Sequence, residues 1–125
     1  MDLVDSIYAV TRTFPKSEMF GMMAQMRSAA SSVPANIAEG RGRGSFRDYR
    51  AFLRRARGSL MELETHIETS RRQKYVTDEA AERLFSQSLR VAQLLNGVIR
   101  HTTELIRAGD RRPATGDRRP TAPAR

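Results

Sequence analysis

The sequence predicts an all-α protein, an antiparallel four-helix bundle over residues 1–108 followed by a basic tail over residues 109–125. Along most of the chain, apolar residues recur at alternating intervals of three and four, the spacing of one helical face. No stretch alternates with a period of two over a useful length, so strands are not expected. Two long heptad segments and two shorter partners are most simply packed as a four-helix bundle.

The first helix is expected over roughly residues 2–13, and Pro15 is its stop signal. Its apolar face consists of Leu3, Ile7, Val10 and Phe14, with Val4 beside them.

The second helix is expected to begin at Ser17, an N-cap residue with Glu18 in the first turn, and to end at Gly40. Its apolar face comprises Met19, Met23, Met26, Ala30, Val33 and Ile37. Pro34 lies within this series without changing its phase. A proline at this position removes a backbone donor and strains the preceding turn. The sequence therefore predicts a proline-kinked second helix that bends, or that breaks and restarts near Val33.

The third helix is expected to begin at Ser45, a capping residue with Asp48 three positions later. A flexible connection with Gly40, Gly42 and Gly44 precedes it. Its apolar stripe comprises Phe46, Tyr49, Leu53, Ala56, Leu60, Leu63, Ile67 and Ser70. Gly58 lies within this helix, and we expect it to permit close contact with another helix, where a larger residue would push the bundle apart.

The fourth helix is expected to begin after Thr77, with Asp78 and Glu79 in its first turn. Its stripe comprises Leu84, Ser88, Val91, Leu95, Val98, Thr102 and Leu105, and it is widened by Phe85, Ala92, Ile99 and Ile106.

Some apolar residues lie away from the predicted stripes, namely Phe52, Met61, Leu89 and Leu94. A monomeric bundle tolerates isolated exposed apolar residues. Several such residues on the two longest helices favour lateral packing between subunits, and hence a homo-oligomer.

The tail contains a near-repeat, Gly109–Pro113 and then Gly116–Pro120. Its three prolines and few apolar residues cannot form a core, so disorder is expected. It is either a source of non-specific phosphate contacts or an inert extension.

Composition excludes several classes of protein. The chain has no cysteine, which excludes disulfides, thiolate zinc sites and a cysteine nucleophile. No apolar run suits a signal peptide or reaches the length that crosses a bilayer, so a cytoplasmic protein is expected.

Positive charge is concentrated in one short segment and in the tail. The chain has a formal net charge of +8, to which residues 41–57 contribute +6 and residues 109–125 contribute +3. Such a local positive field favours polyanions such as nucleic acid. The alternative is a solvated face that keeps the protein soluble.

Four arginines of the third helix, spaced three, four and three residues apart, align along one edge beside the core; we call Arg47, Arg50, Arg54 and Arg57 the arginine row. Arg41 and Arg43 precede them in the connecting loop, and Arg55 points elsewhere. Guanidinium groups match phosphate oxygens, so these six are the candidate nucleic-acid-binding residues. The alternative role is ion pairing between helices or between subunits.

Polar residues after the proline predict a second feature. Asn36 and Glu39 lie close to the apolar stripe and within reach of the third helix, where Arg57, Ser59 and Glu62 are candidate partners. Because buried polar atoms must be paired, we expect a structural polar network that fixes the bend. Its predicted members are Arg27, Asn36, Glu39, Ser59 and Glu62.

No catalytic constellation is present, and no enzyme, metal or cofactor is expected. A di-iron bundle needs inward-facing Glu-x-x-His pairs. The residues three before His66 and His101 are Leu63 and Val98, so this motif is absent.

Several segments together resemble one family. They are Met1–Val4, Phe14-Pro15, Gly21, Arg27–Ala30, Ser32–Gly40, Arg54–Thr65 and Tyr75. The chain resembles the bacterial four-helix-bundle proteins encoded in intervening sequences of 23S rRNA genes, and is similar to the accessory protein of diversity-generating retroelements. The most specific motifs are Val33–Gly40 and Gly58-Ser59-x-x-Glu62-Leu63-Glu64.

The resemblance covers about residues 1–105 and implies a four-helix protomer in a ring-like homopentamer. It also implies nucleic-acid binding through a basic surface, no known catalytic activity and, by analogy with the retroelement relatives, a reverse transcriptase as partner. Family members usually carry a short segment with an aromatic residue before the position of Met1, so either a shortened first helix or a misassigned start is expected. The tail is not part of the family pattern.

Together these observations favour a non-enzymatic, oligomeric bundle that binds structured RNA or DNA through the edge between Arg41 and Arg57. The alternative is a protein-interaction scaffold or accessory subunit whose arginines contact other subunits or a partner.

Overall fold

A computed structural model describes residues 2–109, which form four α-helices and one short 3₁₀ helix. The α-helices are α1 (Asp2–Thr11), α2 (Met22–Arg41), α3 (Phe46–Arg72) and α4 (Asp78–Arg107), and the 3₁₀ helix spans Lys16–Glu18. No strand is present in this part of the chain, so the all-α prediction is confirmed. Met1 and the predicted disordered tail, from residue 110 onward, lie outside the described residues.

The four helices pack around one core, and α3 is its central element. It packs along α2 on one side and along α4 on the other, while α1 packs against both α2 and α4. Fully buried residues from all four helices form the core, among them Leu3, Ile7, Met26, Val33, Leu53, Leu60, Leu63, Ile67 and Leu84. At 1.5 Å per residue, α1 is roughly 15 Å long and α4 roughly 45 Å, so α1 covers only part of α4. No helix of the described part is long and apolar enough to cross a membrane.

The corner between α1 and α2 differs from the prediction. Ser17 does not cap α2, because the residues around it form the 3₁₀ helix that follows Pro15 directly. Helix α2 begins later, at Met22, and Glu18 Oε1 accepts a hydrogen bond from the Met22 N–H at 3.0 Å. The other Glu18 oxygen accepts from the Tyr75 hydroxyl at 3.0 Å, which ties this corner to the end of α3.

Helix α2 continues through Pro34 without interruption, so a break and restart near Val33 is excluded. The bend remains a prediction. The helix ends at Arg41, one residue beyond the expected end, and Gly40 is buried inside its last turn.

The close helix contact predicted at Gly58 lies at Gly40 instead. Gly58 is exposed, and a Cβ added there would meet nothing within 4 Å, so the predicted helix contact at this residue is wrong. A Cβ added at Gly40 would lie 2.8 Å from Phe52 Cβ and 3.0 Å from Tyr49 Cδ1. The close approach of α2 and α3 is therefore at Gly40.

The caps of the two long helices are confirmed. Ser45 accepts a hydrogen bond from the Asp48 N–H at 3.2 Å, and Thr77 accepts from the Ala80 N–H at 3.1 Å. In α4 the predicted stripe is buried at Leu84, Ser88, Leu95 and Thr102, whereas Val98 is 37% exposed and Ile99, which flanks the stripe in the prediction, is 7% exposed.

Candidate nucleic-acid interface

The arginine row lies on the edge of α3 that faces α4, and two of its members are fixed by that helix. Arg50 Nη1 donates to Thr103 Oγ1 at 3.1 Å, and Arg57 Nη1 donates to Asn96 Oδ1 at 3.0 Å. The two arginines are seven residues apart on α3, and their two acceptors are seven residues apart on α4 in the opposite chain direction, as expected for antiparallel helices. Both acceptors are neutral, so these contacts orient the guanidinium groups without cancelling their charge.

The other two members of the row face the solvent. Arg47 and Arg54 are exposed, and neither makes a hydrogen bond or an ion pair within residues 2–109. Their spacing of seven residues places them about two turns apart on one side of α3, roughly 10 Å along the axis. These two guanidinium groups are accessible to an anion.

Like charges converge at Arg50. Partial desolvation and the charge of Arg54 lower the pKa of Arg50. The charges of Arg47 and Arg107 lower that pKa further. A phosphate placed among these groups would relieve the repulsion, because an opposite charge favours the protonated guanidinium.

Helix α4 adds two arginines that the sequence reasoning missed. Arg107 is close enough to affect the pKa of Arg50, and Arg100 lies on the same edge of α4 as the two residues that bind the row. The spacing was a usable signal, since Asn96, Arg100, Thr103 and Arg107 follow one another at intervals of four, three and four.

The opposite end of α3 carries arginines of a different kind. There Glu68 binds Arg71 at 2.6 Å and Arg72 at 2.9 Å, and these hydrogen bonds hold the pKa of Glu68 at about 2. The Glu68 carboxylate in turn raises the pKa of Arg71. At this end the cations are neutralised, whereas no carboxylate forms an ion pair with the arginine row in the described part of the chain.

Arg41 and Arg43, predicted to lie in the loop beside the row, are placed differently. Arg41 is the last residue of α2. Arg43 Nη2 binds Glu39 Oε2 at 2.9 Å, and its guanidinium carbon lies 4.8 Å from the centre of the Phe52 ring. The structure therefore places Arg43 on the α2 side of α3, away from the row. The loop between α2 and α3 places Arg43 against the Phe52 ring, and the spacing of residues along the sequence does not predict this contact.

The predicted polar network is smaller than expected and has a different centre. Asn36 Nδ2 donates to the carbonyl oxygen of Ser32 at 2.8 Å and to its hydroxyl at 2.9 Å. The hydroxyl groups of Ser32 and Ser59 share a hydrogen bond of 2.8 Å, which links α2 to α3. Asn36 and Ser59 are thus joined through Ser32, which the sequence reasoning did not include.

Three predicted members of the network bind elsewhere. Glu39 is exposed and pairs with Arg43, while Glu62 is exposed and lies 3.4 Å from His66. Arg27 donates to Thr11 Oγ1 at 2.8 Å, on the opposite side of α2. These three residues are therefore not members of the network, because each has a different partner in the structure.

The acidic side chains inside the bundle are separated from one another or bind neighbouring helices. Within residues 2–109, no three histidine, aspartate or glutamate side chains gather into a group that could hold a metal ion. The Glu64 carboxylate accepts a hydrogen bond from the buried Ser88 hydroxyl, so it links α3 to α4.

Comparison with known proteins identifies similar sequences and structures. The family described as 23S rRNA-intervening sequence protein matches residues 1–97. A crystal structure at 1.70 Å, of a protein with unknown function from the S23 ribosomal protein family of Bacteroides thetaiotaomicron VPI-5482, is similar to this chain. The two are 26% identical with a TM-score of 0.67, over 78% of this chain and 88% of the other. No curated protein matches significantly.

Proposed function

Because this chain belongs to the 23S rRNA-intervening sequence protein family, we propose that it is a non-enzymatic, homo-oligomeric helical bundle that binds structured RNA or DNA through the arginine row. One observation carries the proposal: three arginines from two helices, Arg47, Arg54 and Arg107, lie around Arg50, and no carboxylate of the described residues pairs with the row. Concentrated positive charge of this kind attracts the phosphate backbone.

Members of the row have different roles in this proposal. Arg47 and Arg54 are exposed and contact phosphates directly. Arg50 and Arg57, oriented by Thr103 and Asn96, supply fixed donors at the base of the same surface. Such contacts position a nucleic acid without reading its sequence, so the expected binding depends on shape and charge.

Exposed apolar residues support the oligomeric part of the proposal. Leu94 is 71% exposed, and Met61 and Leu89 are also exposed. Burial of these side chains between protomers is favourable. The family resemblance implies a ring-like pentamer, which native mass spectrometry of the full chain tests directly.

A second candidate function is a scaffold or accessory subunit, with a reverse transcriptase as partner by family analogy. The observation that favours it is that Arg50 and Arg57 already bind α4, so half of the row has a structural role. In that case the exposed arginines contact protein, and their loss changes assembly rather than nucleic-acid affinity.

The experiment that separates these functions measures nucleic-acid affinity over a salt series. The test variant, Arg47→Gln/Arg54→Gln, removes the two exposed charges of the row. The matched control, Arg83→Gln/Arg90→Gln, removes two exposed charges from α4, away from the row. For the test variant we expect the slope of log K against log salt to fall by about two, because each phosphate contact contributes about 0.9 on a duplex.

The control variant is expected to leave both the affinity and the slope nearly unchanged. Equal effects of the two variants would show that only total charge matters. Unchanged affinity in a folded test variant that dissociates into smaller species would favour the scaffold function.

A further inference from the structure

A second cluster of arginines lies on the flank of α3 that faces α2. The guanidinium carbons of Arg43 and Arg55 lie 4.8 Å and 4.6 Å from the centre of the Phe52 ring. Because both lie so close to one ring, the two carbons are less than 10 Å apart. One residue comes from the connecting loop and the other from α3, so the ring brings together charges that the sequence separates. We call Arg43, Phe52 and Arg55 the Phe52 cluster.

The ring that orients this cluster is itself fixed by α2. Gly40 packs against Phe52 so closely that any side chain at residue 40 would lie 2.8 Å from Phe52 Cβ. Phe52 is half-buried there, whereas Arg43 and Arg55 are exposed. The aromatic ring attracts the cations through its π face and leaves their N–H groups available to a ligand.

The Phe52 cluster and the arginine row lie on opposite flanks of the same helix. At 100° per residue, Phe52 lies roughly 180° and Arg55 roughly 120° around α3 from the centre of the row. Between the two flanks, the outermost line of the helix carries Ala51 and Gly58, both exposed. Nothing lies within 4 Å of the position that a Gly58 Cβ would occupy. The first half of α3 therefore has cations on both flanks and small residues along its crest.

We propose that the Phe52 cluster is a second phosphate-binding site, and that α3 contacts both strands of a nucleic-acid duplex, one on each flank. This inference rests on the proposed function, since the arginine row supplies the other strand contact. An α-helix fits the major groove of B-form DNA, which is about 12 Å wide, and also lies against the wide, shallow minor groove of duplex RNA. Small residues on the crest allow the helix to approach the base pairs closely.

The Glu39 carboxylate competes with a phosphate for Arg43 of this cluster. It forms an ion pair with Arg43 in which the two side chains are 57% and 44% exposed. Exposed ion pairs of this kind contribute little stability, so a backbone phosphate readily replaces the carboxylate. Asp48 is a further carboxylate near this flank, but it forms no ion pair with Arg43 or Arg55 in the described residues. Removal of the Glu39 charge should therefore increase affinity for a duplex.

The test uses the full chain and measures fluorescence anisotropy with a DNA duplex, an RNA duplex and a single strand over a salt series. The variant Arg43→Gln/Arg55→Gln is expected to weaken duplex binding by about tenfold and to lower the salt slope by about two. Its binding to the single strand, which reaches only one flank, is expected to change by less than about twofold. Arg83→Gln/Arg90→Gln is again the control of equal charge.

Two further variants keep the test decisive if the double variant folds poorly. Glu39→Gln is expected to raise duplex affinity by about two- to fivefold, since it frees Arg43 from an exposed ion pair. Phe52→Leu removes the ring that orients the two guanidinium groups, so it is expected to lower duplex affinity. Because it retains every charge, it is expected to leave the salt slope unchanged. A purely structural role for the Phe52 cluster would lower the melting temperature in these variants without either binding effect.

The outcomes for the inference and for the proposed function are distinct. If Arg47→Gln/Arg54→Gln weakens binding but neither Arg43→Gln/Arg55→Gln nor Glu39→Gln changes it, the second site is overturned and the proposed function stands. If no arginine variant weakens binding, both fail. Loss of duplex preference in Arg43→Gln/Arg55→Gln supports the inference, and a preference for the DNA or the RNA duplex identifies the groove that receives α3.

Discussion

Gly40 packs against Phe52 where α2 meets α3, at a place where residue 40 has no room for a Cβ atom. This contact sets the separation of the two helices near their connection. It also holds the ring that Arg43 and Arg55 share. A single missing side chain therefore determines both local packing and the position of two cations.

The two helical glycines provide a matched stability test of this contact. Gly40→Ala introduces a methyl group 2.8 Å from Phe52 Cβ, so we expect it to destabilise the protein by about 1–3 kcal/mol, the usual cost of overpacking. Gly58→Ala adds the same methyl group in open space and is expected to stabilise by about 0.5–1 kcal/mol through helix propensity. Urea denaturation measures both. Equal effects of the two substitutions would contradict the close contact at Gly40.

Glu68 predicts a specific dependence of stability on pH. Hydrogen bonds from Arg71 and Arg72 lower its pKa from 4.5 to about 2 in the folded chain. Since the folded pKa lies below the unfolded value, the ionised carboxylate stabilises the fold at neutral pH. This contribution is lost as the pH falls from about 4.5 towards 2.

The corresponding measurement compares Glu68→Gln with the natural chain at several pH values. The difference in free energy of unfolding is expected to be largest near pH 7 and to become small by pH 2. Glu82→Gln is the control, because Glu82 is exposed on α4 and makes no ion pair within residues 2–109. A constant difference for Glu68→Gln across this range would show that the ion pairs do not contribute to stability.

The sequence predicts that Asn36 and Glu39 belong to one polar network, whereas in the structure only Asn36 contributes to the polar link between α2 and α3. Asn36→Ala removes two hydrogen bonds to Ser32 and is expected to cost about 1–2 kcal/mol of stability. Glu39→Ala removes only an exposed ion pair, with an expected cost of less than about 1 kcal/mol. Chemical denaturation of both variants measures the contrast. Equal losses would indicate that Glu39 belongs to the network after all.

Ser32 and Ser59 are expected to be energetically coupled. In a double-mutant cycle with Ser32→Ala and Ser59→Ala, we expect a coupling energy of about 0.5–1.5 kcal/mol from their shared hydrogen bond. Additive effects of the two substitutions would show that this link does not hold α2 against α3.

Leu94 predicts how the protein assembles. It is 71% exposed on α4. If protomers pack on this face, a charge at residue 94 would be buried in the interface without a partner, which is unfavourable. Leu94→Glu is therefore expected to reduce the proposed oligomer to smaller species, as measured by light scattering. Gln93→Glu adds the same charge at the neighbouring exposed residue, on a different face of α4, and is expected to leave the mass unchanged. An unchanged mass for both variants would exclude this face as an interface.

The sequence by itself determined the helices, two of their caps and the concentration of charge. Ser45 and Thr77 could be identified because a cap involves residues only three positions apart. The arginine row could be identified because its spacing places four side chains on one edge of a helix. All of these features depend on neighbours within one or two helical turns.

Only the tertiary structure decided which of these residues meet. It placed the close contact at Gly40 rather than Gly58, made Ser32 the link between α2 and α3, and brought Arg43 and Arg55 to one aromatic ring. It also added Arg107 to the charges around Arg50. These relationships depend on the axial register between helices that are distant in the chain, which side-chain packing determines and local spacing does not encode.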